Sequence, residues 1–495
     1  MSLLQTLPAH FSTLQSSILK NKRTLTLLAI PAVPLTFLAI CLSTWRVDVG
    51  SQVRLRGIVH LFNLLSSNKG NTDPAVELEK KKLFTLFESV VDAERLAFND
   101  DFRTDESKRE LFKIQLEGIF GEGNLFSPLG QVLVRKDVEK TLKRRLLFAE
   151  TCIKSLPYGH PSTLAALKRV SSKLIIIAGL PRTGSTMLHR LLSEDLSTRT
   201  PLWWEQMHDV EPLPTQPADL VCDCRAEKVV KDLAGIKIIS PNALSEFDRF
   251  HKIGAFEVEE CAPFIRRYFN DMDSPYLSPK SLELREDWSM NKDVDRSFII
   301  KHLVYWLANE TTAFPKDEGK DSDYSWILKA PIFTTFLPEM YEAFPDAAYV
   351  FTSRDPVNVI PSTCGLVEVA ASIKANWGKG GTTLFHHIGG YVFGRMEFLA
   401  RKQDEFIRSA EKGDKLLKVI NLPYKATIKS PMASVEKIYE LAGRKVSEET
   451  RRRMEAHLKE NTQGKHGKAN YSLEKFGLTE GRLLDSFGQY KKDYC

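Results

Sequence analysis

From about residue 166 onward, four short apolar runs are set off by polar turns: Leu174 to Ala178, Trp326 to Leu328, Ala347 to Thr352 and Leu416 to Ile420. Each has the length of a buried strand rather than of a helix. Helical patterns lie between them. Strands alternating with helices predict an α/β unit, a parallel β-sheet flanked by helices on both faces. Such sheets hold their ligands outside the carboxyl ends of the strands. Upstream the period is helical. "AVELEKKKLFTLFESVVDAERLA" sets Leu78, Leu83, Leu86, Val90 and Val91 on one face, and "VRKDVEKTLKRRLLFAETCIKSL" repeats the habit. The pattern divides the chain into a tail (1–23), an apolar segment (24–44), a helical preamble (45–165) and the α/β domain (166–495).

The apolar segment, Thr24 to Thr44, has 21 residues and no charge. At about 1.5 Å per residue it matches a hydrocarbon core of about 30 Å. Lys20, Lys22 and Arg23 precede it, and Trp45 and Arg46 follow. The expectation is an N-terminal transmembrane helix, an uncleaved signal anchor with a cytosolic N-terminus. That makes a single-pass, type II membrane protein of the Golgi or another endomembrane. A hairpin in one leaflet or a buried apolar arm are the alternatives. A net charge of +6 on 495 residues suits an anionic ligand and gives no reason to invoke nucleic acid. Seven scattered cysteines complete no zinc pattern, and their spacing fixes no disulfide. Asn309 and Asn470 open glycosylation sequons.

The first apolar run leads into "GLPRTGST", Gly179 to Thr186. The two glycines stand five apart, as in a phosphate-binding loop, but Ser185 takes the place of the usual lysine. Gly179 and Gly184 let the backbone turn and expose its N–H groups. A helix starting near Ser185 adds its unpaired N–H groups and the positive end of its dipole. Ser185 and Thr186 add hydroxyls, and Arg182 a fixed positive fork. Such a nest holds a phosphate-like anion.

A second motif, "AAYVFTSRDPVNVIPSTCGL", runs from Ala347 to Leu366. A strand ends at Ser353-Arg354, and Asp355-Pro356 starts a helix with a capping residue and a preset φ. Ser362 follows Arg354 by eight positions. An anion at that strand end meets a guanidinium and a hydroxyl.

Together the two motifs resemble those of the sulfotransferases that use 3′-phosphoadenosine 5′-phosphosulfate (PAPS). "GLPRTGSTMLHRLL" is similar to their 5′-phosphosulfate loop in its arginine form, and "YVFTSRDPVNVIPS" to their 3′-phosphate motif. "WILKAPIFTTFLPEMYEAFPDA" resembles the segment before that motif, and "NTQGKHGKANYSLEKFGL" the C-terminal loop that closes on the nucleotide. The resemblance runs from about Lys173 to Tyr490 and points to the bacterial-type and tyrosylprotein-like branches. It implies the P-loop sulfotransferase-like three-layer fold, PAPS as sulfuryl donor, its product PAP as ligand, and no metal. Pro181, Arg182, Thr183, Gly184, Ser185 and Thr186 would hold the 5′ side. Arg354 and Ser362 would hold the 3′ phosphate. Lys465, His466 and Gly467 would clamp the nucleotide. Two separated anion sites fit PAPS better than ATP.

Transfer would be in line, with Arg182 at the bridging oxygen and Lys329 as a second cation. The histidine base of the cytosolic enzymes is missing from Lys329-Ala330-Pro331. In the arginine-loop branches a glutamate some twenty residues past the loop serves, which makes Glu205 the first choice of base and His251 the second. A glycan, lipid, small alcohol or phenol, or peptide all stay open as the hydroxyl acceptor. The tryptophans and phenylalanines at 203, 204, 256 and 264 are either its pocket or core. Two other readings stand beside this one. A phosphate-loop kinase or NTPase is disfavoured by the missing lysine. An inactive nucleotide-binding relative would bind PAP without transfer.

Overall fold

The computed structural model describes residues 46–49, 53–56, 74–171, 174–207, 224–269, 277–313, 325–376, 381–413, 417–461 and 472–495. The first two of these segments are strands, β1 (Arg46–Val49) and β2 (Val53–Arg56), paired as an antiparallel hairpin. The expected helical preamble therefore opens on a hairpin. Its residues alternate charged with apolar, RVDV and VRLR, which is the period of a strand. The expected transmembrane helix is also corrected. No helix among the described residues is long and apolar enough to cross a membrane. The long helices carry a charged face instead. Segment 24–44 itself lies outside the described residues.

Four helices follow: α1 (Pro74–Phe98), α2 (Phe102–Phe120), α3 (Pro128–Ser155) and α4 (Pro161–Ser171). Asp101 caps α2 by accepting from Thr104 N at 2.8 Å, and Ser127 caps α3 by accepting from Gly130 N at 3.0 Å. The buried stripe of α1 runs through Val76, Leu83, Phe87, Val90 and Val91. Leu78, expected on that stripe, is 54% exposed. The preamble docks on the α/β unit backbone to backbone. Ser127 N donates to Lys374 O at 2.8 Å, and Asn376 N to Leu125 O at 2.7 Å. A Cβ on Gly130 would come within 1.9 Å of the Lys374 carbonyl oxygen, so only glycine permits this approach.

A buried ionic cluster ties the same two parts together. Lys108 of α2 lies 2.5 Å from Asp100 and 3.0 Å from Glu94. Arg145 of α3 pairs with Glu94 at 2.8 Å, and His302, on the helix Ser297–Ala313, meets Asp100 at 3.0 Å. Glu94, Asp100 and His302 stand as close together as the ligands of a metal ion. The Lys108 ammonium already fills the cation position between the two carboxylates. Burial pushes the Glu94 carboxyl up, but Arg145, Lys108 and His302 outweigh it and hold it down at about 2. Burial pushes the His302 imidazole down, towards its neutral form.

The main sheet has five parallel strands: β3 (Ile175–Gly179), β4 (Thr198–Arg199), β5 (Ser325–Lys329), β6 (Ala348–Ser353) and β7 (Lys418–Pro423). Their order is β4-β5-β3-β6-β7. All four expected strands are present, with ends displaced by one to three residues, and β4 adds a two-residue edge. In β3 the side chains alternate between two cores. Ile175 and Ile177 pack with Leu188, Leu191, Val435 and Ile438. Ile176 and Ala178 face the larger core, shared with the preamble. A strand buried on both faces reads as a continuous apolar run. At the end of β7, Asn421 Nδ2 donates to the Tyr494 carbonyl oxygen at 3.2 Å. Because β3 lies between β5 and β6, the loops leaving these three strands meet at one end of the sheet.

Candidate active site

The turn after β3 is built from unusual backbone. Gly179, Arg182 and Gly184 all have positive φ, +103°, +63° and +90°. A Cβ on Gly184 would stand 3.0 Å from the Tyr424 ring, so glycine is needed there for space as well as conformation. Arg182 adopts the left-handed region despite its side chain, a strained choice for a non-glycine residue. The surroundings fix it. Gly179 N donates to Thr334 Oγ1 at 2.8 Å, and the buried Thr183 hydroxyl meets Leu180 O at 2.8 Å and Thr352 Oγ1 at 2.6 Å. Thr183, expected to bind the nucleotide, is thus spent on holding the loop.

Helix α5 (Ser185–Leu192) begins at Gly184 with no side-chain cap. Its first N–H groups are available to an anion in the cavity at its N-terminus. That cavity, of about 280 Å³, is lined by Pro181, Arg182, Gly184, Ser185 and Thr186 from the loop. Lys329, Arg354, His251, Glu259 and Glu260 also line it.

The second motif meets the loop here. Arg354 NH1 donates to the Arg182 carbonyl oxygen at 3.2 Å, and its guanidinium lies 4.3 Å above the Tyr424 ring. Asp355 caps helix α6 (Pro356–Ala371) by accepting from Val357 N at 3.1 Å. Ser362 on that helix accepts from Arg182 Nε at 3.2 Å. Arg182 also donates to the Phe250 carbonyl oxygen at 2.9 Å. Its guanidinium therefore sits toward the expected 3′-phosphate residues, not at the mouth of α5.

The cation at that mouth is Lys329. It ends β5, is buried, bonds Thr186 Oγ1 at 3.3 Å and pairs closely with Glu260. Burial pushes the Glu260 carboxyl up, but Lys329 first, then His251 and Arg266, hold it at about 2. Glu260 is therefore an anion at neutral pH. His189, beneath the loop, is pushed down to about 3 by burial and by Lys329. It adds no positive charge beside Lys329.

The two candidate bases separate. Glu205, on the short helix Trp203–Met207, does not line this cavity. Its carboxylate accepts from Arg199 NH2 at 2.7 Å and from Leu202 N at 2.8 Å. His251 lines the cavity, with Nε2 2.6 Å from Glu259 Oε2. Where Nε2 carries the proton toward the carboxylate, Nδ1 is left as the basic nitrogen. Lys465, His466 and Gly467 lie outside the described residues. Of the four aromatics, Trp203 lines the cavity, Trp204 and Phe264 are core, and Phe256 is exposed.

Sequence reasoning passed over Glu259, Glu260 and Tyr424. The acidic pair stands within "HKIGAFEVEEC", eight residues after His251. Tyr424 directly follows β7, where the strand-end rule places a ligand.

Two crystal structures share the fold. The sulfotransferase STF9 of Mycobacterium avium aligns with a TM-score of 0.65 and 21% identity over 83% of this chain and 97% of its own. The sulfotransferase STF1 of Mycobacterium tuberculosis H37Rv aligns with a TM-score of 0.60 and 21% identity over 81% and 98%. No curated protein matches the chain significantly. A profile described as the sulfotransferase family matches residues 175–448, more than half of the chain and every element from β3 to β7. With its uncapped helix start and converging cations, the chain belongs to the sulfotransferase family and is a sulfuryl-transferring enzyme.

Proposed function

We propose that the enzyme transfers the sulfuryl group of PAPS to an acceptor hydroxyl, with His251 as base. The observation that carries this reading is the pairing of two cationic positions at one cavity: Lys329 beside Thr186, and Arg182 with Arg354 beside Ser362. PAPS has anions at both its 5′ and 3′ positions, and the cavity offers a cationic position for each. The nucleotide 5′ phosphosulfate lies against the α5 N-terminus, where backbone N–H groups, Ser185 and Thr186 donate to it. Arg354, Arg182 and Ser362 take the 3′ phosphate, with Arg forks matched to phosphate oxygens.

The acceptor oxygen attacks sulfur, and the bond from sulfur to the bridging oxygen breaks. The electron pair leaves on the nucleotide phosphate, where Lys329 offsets the growing negative charge. The acceptor proton passes to His251, and Glu259 stabilises the resulting imidazolium. Glu260 holds the Lys329 ammonium toward Thr186.

Calorimetric titration of the full chain with PAP, and with ADP plus Mg²⁺, tests the donor assignment. Micromolar PAP binding that is lost in Arg354→Ala, with weak ADP binding, is expected. Equal ADP binding that ignores Arg354 overturns it in favour of a phosphoryl-transfer nucleotide.

A further inference from the structure

Both sequence neighbours of Arg354 are held by one helix. Helix α8 (Glu480–Tyr494) packs against α6, against α7 (Gly381–Glu411) and against β7. Ser353, fully buried, ends β6, and its hydroxyl donates to the Tyr494 carbonyl oxygen. Asn421 Nδ2 donates to that carbonyl at 3.2 Å and to Ser353 Oγ at 3.1 Å. On the other flank of Arg354, Asp355 Oδ2 pairs with Lys491 Nζ at 2.8 Å. The other oxygen, Oδ1, caps α6 by accepting from Val357 N. Residues 491 and 494 are three apart, so they share one face of α8. That end of α8 is also tied to α7. The Tyr494 hydroxyl donates to Asp404 Oδ1 at 2.7 Å, and Arg408 pairs with Asp493 at 2.8 Å. Lys491 is therefore placed against Asp355 by the anchoring of the turn that carries it.

Charge decides what this placement does. The α6 cap needs a hydrogen-bond acceptor, but a carboxylate directly after Arg354 opposes an anion held by that arginine. Lys491 offsets it. The lysine side chain is 42% exposed and does not line the cavity, so it acts on an anion there through Asp355 and not by contact. An ion pair this exposed adds little to the stability of the fold. Its effect is felt by what binds next to it.

We propose that Lys491 sets how strongly the enzyme prefers a nucleotide that carries a 3′ phosphate. This rests on the assignment of Arg354, Arg182 and Ser362 to that phosphate. With Lys491 in place the Asp355 carboxylate is neutralised, and the two guanidiniums act on the phosphate unopposed. Without it the carboxylate repels the phosphate and takes back part of what Arg354 supplies. The 5′ side is bound at the α5 N-terminus by other groups, so a nucleotide with no 3′ phosphate does not sense Lys491. Lys491 is thus a positioning and charge-balancing residue for donor selection, and takes no part in the transfer step.

The test is calorimetric titration of the full chain with PAP and with 5′-AMP, which lacks the 3′ phosphate, at about 50 mM and about 500 mM salt. Wild type should prefer PAP. Lys491→Met should weaken PAP about 3- to 10-fold at the lower salt and leave AMP within about twofold. Most of that loss should vanish at the higher salt, where charges are screened. Adding Asp355→Asn to Lys491→Met should return PAP affinity to within about twofold of wild type, because asparagine caps a helix as well as aspartate does. An equal loss for PAP and AMP makes Lys491 a purely structural residue and overturns the proposal. So does unchanged PAP binding, a loss that survives high salt, or one that Asp355→Asn does not repair. A wild type that binds AMP as tightly as PAP overturns the 3′-phosphate assignment itself, and the proposal with it.

Discussion

Arg182 Nε donates to Ser362 Oγ at 3.2 Å, joining the first phosphate-type loop to the helix after the second motif. Residues 180 positions apart are thus joined in one hydrogen-bonded unit, the one proposed to take the 3′ phosphate. Arg182→Ala should weaken PAP binding about 10- to 100-fold, the cost of a charge-assisted contact, and Ser362→Ala about 3- to 10-fold. Because the two side chains touch, the double variant should lose less than the sum. Titration calorimetry on the four proteins measures that coupling. Strict additivity would mean that the two residues act on PAP independently.

The base assignment separates His251 from Glu205. His251→Gly should lower kcat about 10²- to 10⁴-fold with PAP affinity unchanged, and added imidazole should restore part of the rate. Glu205→Gln removes a carboxylate that holds Arg199 and the Leu202 amide. It should lower Tm and leave kcat within about threefold. A Glu205→Gln enzyme that is folded but inactive returns the role of base to Glu205.

In the proposed reaction Lys329 stands where negative charge grows during transfer. Lys329→Met should cost about 10²- to 10³-fold in kcat and far less in PAP affinity, because the interaction strengthens only in the transition state. Single-turnover rates beside PAP titrations separate the two effects. An equal loss in both would make Lys329 a ground-state binding group.

Acid should unfold the protein through the buried cluster around Lys108. The Glu94 carboxyl, ordinarily 4.5, lies at about 2 in the fold. A depressed carboxyl contributes stability that is present above 4.5 and lost as pH falls toward 2. That contribution is on the order of 3 kcal/mol. His302, held below its ordinary 6.5, acts in the same sense, starting as pH drops through that value. Asp105, pushed up by burial, acts in the opposite sense. Tm should therefore be level above about pH 6.5 and decline below it. Glu94→Gln should be less stable at pH 7 and show a shallower decline below pH 4.5. Scanning calorimetry across that range decides it.

The strand, turn and helix of both motifs were legible in the sequence because each is local. A strand, a tight turn and a helix start lie within a dozen residues, and turn chemistry leaves its mark on composition. The strands were legible because burial on both faces makes them unbroken apolar runs. What stayed hidden depends on which distant segments meet. Thr183 faces Thr352 because β3 lies beside β6, which nothing local encodes. Arg182 turns to Ser362 rather than to the α5 mouth because of Phe250, far along the chain. Glu205 had a carboxylate at the expected spacing, but spacing does not reveal that Arg199 claims it. The apolar stretch at 24–44 satisfied a length rule, and a length rule cannot tell a membrane from any other apolar partner.

The central position of β3 also has a cost measured in time. Ile175 pairs with Ile327 and with Ala348, so the nearest partner residue is synthesised roughly 150 residues later. At about 5–20 residues per second, that leaves Ile175-Ile176-Ile177 without a neighbour for some 8–30 s on the ribosome. An unpaired apolar strand is an aggregation hazard for as long as it waits. Expression should therefore respond to slower growth temperature and to chaperones that shield extended apolar segments. Proteolysis of ribosome-bound chains should find this strand open until β5 and β6 have emerged.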